Sequence, residues 1–249
     1  MTKERARPTR TKKAQPRARA VEASETQGES KTERTRRRIL TTALDLFRRE
    51  GFDRATMRRI AEEAGVSLGL AYHYFPSKEA IALAFYRDHV ERHVATARRA
   101  IEGVTDLRER IEIALATGLD VRGPDRPLLN VMARTVVDPE NPISLFAKDT
   151  TALREASIGL FREVVAVPEI PDDLRETAAL ALWALHLGLL LRYVHDDSPT
   201  QRQTRKLLEG AAELAAQVAP MLGWPITEPF RGRLIEVLED GGVLPRATR

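Results

Sequence analysis

Tyr72, His73, Tyr74 and Phe75 follow one another in a chain whose aromatic content is 5%, and Pro76, Ser77 and Lys78 come directly after them. Three rings and an imidazole in one turn suit a core, a metal or ligand site, or a surface pressed against something polar and charged. Other histidines are spaced for chemistry too. His89 and His93 share one helix face and can chelate a metal, but they read better as two surface histidines near a domain junction, since Glu91 is in the wrong slot for an HExxH zinc signature. His195-Asp196-Asp197 resembles a metal triplet, yet fits better as a helix end ahead of a capping Ser198. The sequence contains no P-loop, no dinucleotide glycine fingerprint and no GxSxG elbow. No catalytic constellation, metal site or cofactor is therefore expected. The absence of cysteine excludes disulfides and thiolate chemistry, and suits a reducing cytoplasm.

The elements that must position these residues are all helical. Ile39, Leu40, Ala43, Leu44 and Phe47 recur at spacings of three and four, and Gly51 stands where that helix stops. Thr56 is placed to cap a short helix carrying Ile60, Ala61 and Ala64, and Gly65 to make a turn. Ser67 caps a second short helix ending near Tyr74, where Pro76 forbids continuation. Ser77 opens a long helix to about Gly103. Further helices are predicted at about 106–121, 126–138, 142–166, 171–195, 200–222 and 231–240. The last long one is expected to start in a capping box, with Ser198 as cap, Pro199 at the first position and Gln201 at the third. The chain is predicted to be all-α.

Charge divides this chain. Residues 1–31 carry +5 and residues 32–78 carry +4, which leaves −5 on the remainder of a +4 protein. Residues 1–31 have almost no large apolar side chain and are expected to be a disordered basic tail. A basic front and acidic back suit an anion-binding module joined to a regulatory or assembly module. The longest apolar run, residues 178–191, is 14 residues long and interrupted by His186, so it reads as a core helix rather than a membrane span.

Two short helices joined by a tight turn after a longer helix make a helix-turn-helix, whose second helix lies in the DNA major groove. That arrangement accounts for the aromatic run. Ala71 and Phe75 would pack inward, while Tyr72 and His73 would face phosphates and base edges. Over residues 34–82 the chain resembles the DNA-binding domain of the TetR family of bacterial transcriptional regulators. The stretch RRRILTTALDLFRREGFDRATMRRIAEEAGVSLGLAYHYFPSKEAI carries the match, including Phe47, Gly51, Thr56, Gly65, Tyr72, Tyr74 and Lys78. The resemblance implies a three-helix DNA-binding domain over 32–78 and a helical ligand-binding and dimerisation domain over 79–249. It also implies a homodimer on a palindromic operator, usually repressing, and placed at the nucleoid. The family's contacts carry over onto Thr56, Ser67, Leu68, Gly69, Tyr72, His73, Tyr74 and Lys78. Leu68 and Leu70 depart from the usual polar pattern and suit thymine methyl groups.

By the same resemblance, the helices at about 171–195 and 200–222 would form the dimer interface, and an unidentified small-molecule effector would bind between the preceding helices. Met132, Phe146, Phe161, Trp183, His186 and Tyr193 are its candidate lining residues, with plain core packing the simpler expectation for each. A nucleoid-organising protein with no effector is the alternative. A helical enzyme or lipid carrier would need a polar cluster or an apolar tunnel that the sequence lacks.

Overall fold

The computed structural model describes residues 30–138, 140–144 and 147–244. The basic tail and Phe146 lie outside the described residues. Among the described residues the secondary structure is entirely helical. Helix α1 spans Lys31–Glu50, α2 Met57–Glu63, α3 Leu68–Tyr74, α4 Lys78–Ile101 and α5 Leu107–Arg122. After a single 3₁₀ turn, Gly123–Asp125, come α6 Arg126–Val137, α7 Thr151–Val164, α8 Arg175–Val194, α9 Arg202–Leu222 and α10 Glu228–Asp240.

Local sequence explains most of these boundaries. Ser30 caps α1 in a reciprocal box with Glu33, which accepts from the Ser30 amide at 2.8 Å. Thr56, Ser67 and Ser77 cap α2, α3 and α4 through their hydroxyl oxygens. Gly65 turns the chain between α2 and α3 at φ +63, a left-handed conformation that costs glycine little.

Two boundaries depart from expectation. The helix expected from 142 starts at Thr151, because side chains bind the preceding backbone into turns. Asn141 Oδ1 accepts from Ile143 N at 3.1 Å, and Thr150 Oγ1 donates to Ser144 O at 2.8 Å. The box at Ser198 does not form as expected, and Gln201 instead adopts φ +53. Asp196, fully buried, organises the segment. Its two oxygens accept from Ser198 N, Ser198 Oγ, Thr204 N and Thr204 Oγ1 at 2.6–3.0 Å. Burial alone would raise this carboxyl's pKa, but those four bonds outweigh it and hold the group well below the usual carboxylate range.

Two apolar cores result. The first joins Ile39, Leu46, Phe47, Ile60, Ala71 and Phe75 to Ile81, Ala82 and Phe85 of α4, and to Leu128, Met132 and Ile143. The first turns of α4 and part of α6 therefore share one core with α1, α2 and α3. The second core contains Val94, Ala97 and Ile101 of α4, with Leu115, Leu119, Phe161, Leu182, Trp183 and Leu208. Full burial of a ring such as Phe47 or Phe161 contributes about 3 kcal/mol at most. Asp172–Val194, with a mean hydropathy of 1.5, is long and apolar enough to cross a bilayer by length and composition alone. Here it packs on α7 and places Ala179, Leu182, Trp183, His186 and Leu189 inside the second core region.

Candidate nucleic-acid interface and ligand cavity

The helix-turn-helix has one face in the core and one face free. Ala71 and Phe75 are buried, while Leu68, Gly69, Leu70, Tyr72 and His73 are exposed. Tyr72 is 48% exposed, and Tyr74 packs half-buried against the first core with its ring edge-on to His73 at 5.3 Å. The hydroxyl oxygens of Thr56 and Ser67 accept from Arg59 N and Leu70 N at 3.3 and 3.2 Å. Each O–H stays available as a donor. Lys78 has a second task. Its ammonium donates to Phe52 O and Asp53 O at 2.9 and 3.1 Å and sits 4.5 Å from the Phe52 ring centroid. That bond pattern latches α4 to the loop ahead of α2. Sequence reasoning did not single out the arginines of α1 or Arg58, which are exposed on the same unit. The charge run Arg34–Arg38 was the available signal.

Gly69 separates structural from functional need. A Cβ there would meet nothing within 4 Å, and φ is not positive. Gly69→Ala should therefore leave the fold intact and add up to about 1 kcal/mol of helix stability. If the exposed face of α3 lies against DNA, the methyl should weaken operator binding measured by fluorescence anisotropy. Unchanged affinity would remove Gly69 from the contact surface.

A cavity of about 190 Å³ lies among α4, α5, α6, α7 and α8. Its walls are mostly apolar, with Val90, Leu129, Trp183, Leu187 and Leu190, and it also receives Tyr86, His89, Arg122, Arg154, Ser157 and His186. Of the residues proposed from sequence, Trp183 and His186 line it. Met132 is fully buried in the first core instead, Phe161 is fully buried behind His186 at 5.6 Å, and Tyr193 is buried beneath Arg126. Tyr86, His89 and Arg122 were missed because their side chains meet only when α4 and α5 pack together.

His89 and His93 are 2% and 0% exposed, which corrects their reading as surface histidines. The middle of α4 runs between the two cores, so both rings turn inward. His89 Nδ1 donates to Phe85 O at 3.0 Å, and His93 Nε2 donates to Ala114 O at 2.8 Å. His93 stacks on His186 with centroids 4.8 Å apart. Neither nitrogen of His186 has a hydrogen-bond partner among the described residues, which plain core packing of a histidine does not explain.

Burial, joined by the charge of Arg122, holds His93 at about 4 against an ordinary 6.5. Burial, His93 and Arg122 push His186 in the same direction. Below pH 6.5 the unfolded chain binds protons that the folded chain refuses. Stability should therefore fall as pH drops from about 6.5 towards 4, with His93 contributing roughly 3 kcal/mol across that window. Urea midpoints recorded through this range should decline in wild type and more gently in His93→Gln. Parallel declines would show that other groups dominate acid unfolding.

The 3₁₀ turn after Arg122 links this cavity to the DNA-binding unit. Asp125 Oδ2 lies 3.1 Å from His89 Nε2, and Asp125 Oδ1 accepts from Arg48 Nη2 of α1 at 2.9 Å. A cavity-lining histidine thus lies beside the carboxylate that pairs with a helix of the DNA-binding core.

This combination defines a helix-turn-helix DNA-binding regulator, with a ligand-sized cavity behind the DNA-binding unit. Residues 39–85 match the family model described as bacterial regulatory proteins, tetR family. The chain is 30% identical over 140 residues to the HTH-type transcriptional regulator UidR of Escherichia coli K12, covering 56% of this chain and 71% of that one. It is 41% identical over 171 residues to the HTH-type transcriptional repressor Rv1474c of Mycobacterium tuberculosis, covering 66% of this chain and 84% of that one. The fold also matches the fatty acid degradation regulator FadR of Bacillus halodurans, with a TM-score of 0.58 at 16% identity over 78% of this chain and 97% of that one. The chain belongs to the TetR family of bacterial transcriptional regulators, and is a DNA-binding transcriptional regulator.

Proposed function

We propose that this protein is a ligand-responsive homodimeric repressor. Each protomer would set α3 in a major groove, with two half-sites about one helical turn apart on a palindromic operator. Thr56, Ser67, Leu68, Gly69, Tyr72, His73, Tyr74 and Lys78 are the proposed contact residues. Leu68 and Leu70 would meet thymine methyls, and the exposed hydroxyl and ring of Tyr72 would meet the backbone.

The observation that carries the effector reading is the position of Asp125, beside His89 and paired with Arg48. A ligand entering beside His89 and Arg122 would press on the turn that also holds Arg48 of α1. Such a ligand shifts the DNA-binding geometry only if it binds the two arrangements with different affinity.

Dimerisation would use the outer faces of α8 and α9. Ala181, Ala184, Gly188 and Leu191 are exposed along α8, and Leu207, Leu214, Val218 and Met221 along α9. Small residues facing a stripe of large ones let helices approach closely and bury an apolar seam.

Selection of bound fragments from genomic DNA at near-physiological salt, followed by footprinting, tests the reading. A few strong palindromic sites support a local repressor. Many weak sites lost steeply as salt rises would favour an architectural DNA-binding protein, with the basic segment before Ser30 dominating.

A further inference from the structure

Arg122 is the most unusual charge in the described structure. It is 7% exposed, and its guanidinium donates from Nη1 to Gly118 O at 2.8 Å. No carboxylate of the described residues pairs with it. The neighbouring acids are engaged elsewhere, Asp120 with Arg205, Asp125 with Arg48, and Asp88 with Arg92. Buried charges in proteins are ordinarily paired, because an isolated ion loses its hydration without return. Burial, with Arg92 adding repulsion, lowers the guanidinium only to about 10, so it remains a cation at neutral pH.

The surroundings of this cation are built like a carboxylate seat. The bond to Gly118 O holds the guanidinium on α5 beside His186, which approaches the same glycine. Both His186 nitrogens and the Tyr86 hydroxyl are buried without partners. The remainder of the cavity is mostly apolar, with His89, Thr150, Arg154 and Ser157 as its other polar lining residues. At about 190 Å³ it is somewhat larger than the engineered cavity of about 150 Å³ that accepts benzene. One ring or a short acyl chain fills that space, and most of the wall it would meet is apolar.

We infer that the cavity binds a small monocarboxylate, an aromatic or short-chain acid, with its carboxylate on Arg122 and its apolar part against Trp183, Leu187 and Leu190. This rests on the cavity being the effector site. It adds the effector's charge, size and anchoring residue.

Benzoate and octanoate, each paired with its uncharged amide, are the probes. The chain has two tryptophans, Trp183 in the cavity wall and Trp224 exposed, so Trp224→Phe isolates the cavity signal. At least one acid is expected to change Trp183 fluorescence saturably and raise Tm by about 3 °C near saturation. Its amide should bind about tenfold or more weakly, since a charge-assisted pair is lost. Arg122→Gln should remove that preference. Equal binding of acid and amide would overturn the charge assignment while leaving a cavity that binds ligand. Failure of both acids to bind overturns the inference outright. An acid that binds with the expected preference but leaves operator affinity unchanged supports the carboxylate seat and defeats the effector reading. If Arg122→Gln fails to fold, the comparison of acid with amide on the unsubstituted chain still decides.

Discussion

Leu214→Glu is expected to leave each protomer folded and to abolish the dimer at concentrations where wild type is fully associated. Leu214 is 63% exposed in the protomer and belongs to neither core, so a carboxylate there costs the isolated chain almost nothing. At the centre of the α8–α9 seam it would be desolvated, and the two-fold would bring in a second copy. An unpaired charge at such a site costs about 3–5 kcal/mol, a loss of roughly 10²–10⁴ in the association constant for each copy. Operator binding should fall by a comparable factor, because the two recognition helices would no longer arrive together. Sedimentation equilibrium and anisotropy on a footprinted operator give the two readouts. A variant that stays dimeric and binds normally would move the interface to the other exposed apolar surface, on and before α10. Trp224, Ile226 and Phe230 would then be the residues to charge.

Gly118→Ala should be the most damaging single methyl in the protein. A Cβ at this position overlaps His186 Cε1 and would lie 3.0 Å from His186 Nδ1 and 3.1 Å from His93 Cε1. Either ring can yield only by losing its contacts or by intruding on the cavity that His186 lines. His93 is tied to Ala114 O, while His186 is held between His93 and Phe161. Overpacking of this kind costs about 1–3 kcal/mol. Alanine's better helix propensity returns up to about 1 kcal/mol. The net loss should lower Tm by about 2–4 °C per kcal/mol in a chain of this size. Displacement of His186 should also distort the cavity wall and weaken any ligand held by Arg122. A stable Gly118→Ala protein with unaltered Trp183 fluorescence would mean that His186 moves without cost. The contrast with Gly69→Ala is useful, since that glycine has open space around it and its substitution should cost binding rather than stability.

What the sequence determined by itself was local. The caps at Thr56, Ser67 and Ser77, the left-handed Gly65, the stop at Pro76 and the inward facing of Ala71 and Phe75 depend on residues within a few positions of each other. Backbone amides and one helical face settle such features, so spacing alone discloses them. The helix-turn-helix was legible for that reason, and so was the all-helical character.

Tertiary packing decided the rest. His89 and His93 look like surface residues in a charged stretch, and only the position of α4 between two cores buries them. Met132 joined the DNA-binding core rather than the cavity because α6 packs against α1. Asp196 took over the cap of α9 through contacts that a pattern at Ser198 does not contain. Arg122 closes a helix with an unremarkable basic last turn, and its sequence neighbours offer it acids on both sides. Other arginines claim those acids in three dimensions, leaving Arg122 uncompensated against a mostly apolar cavity. Charge compensation depends on distances between elements far apart in the chain, and only the fold sets those distances.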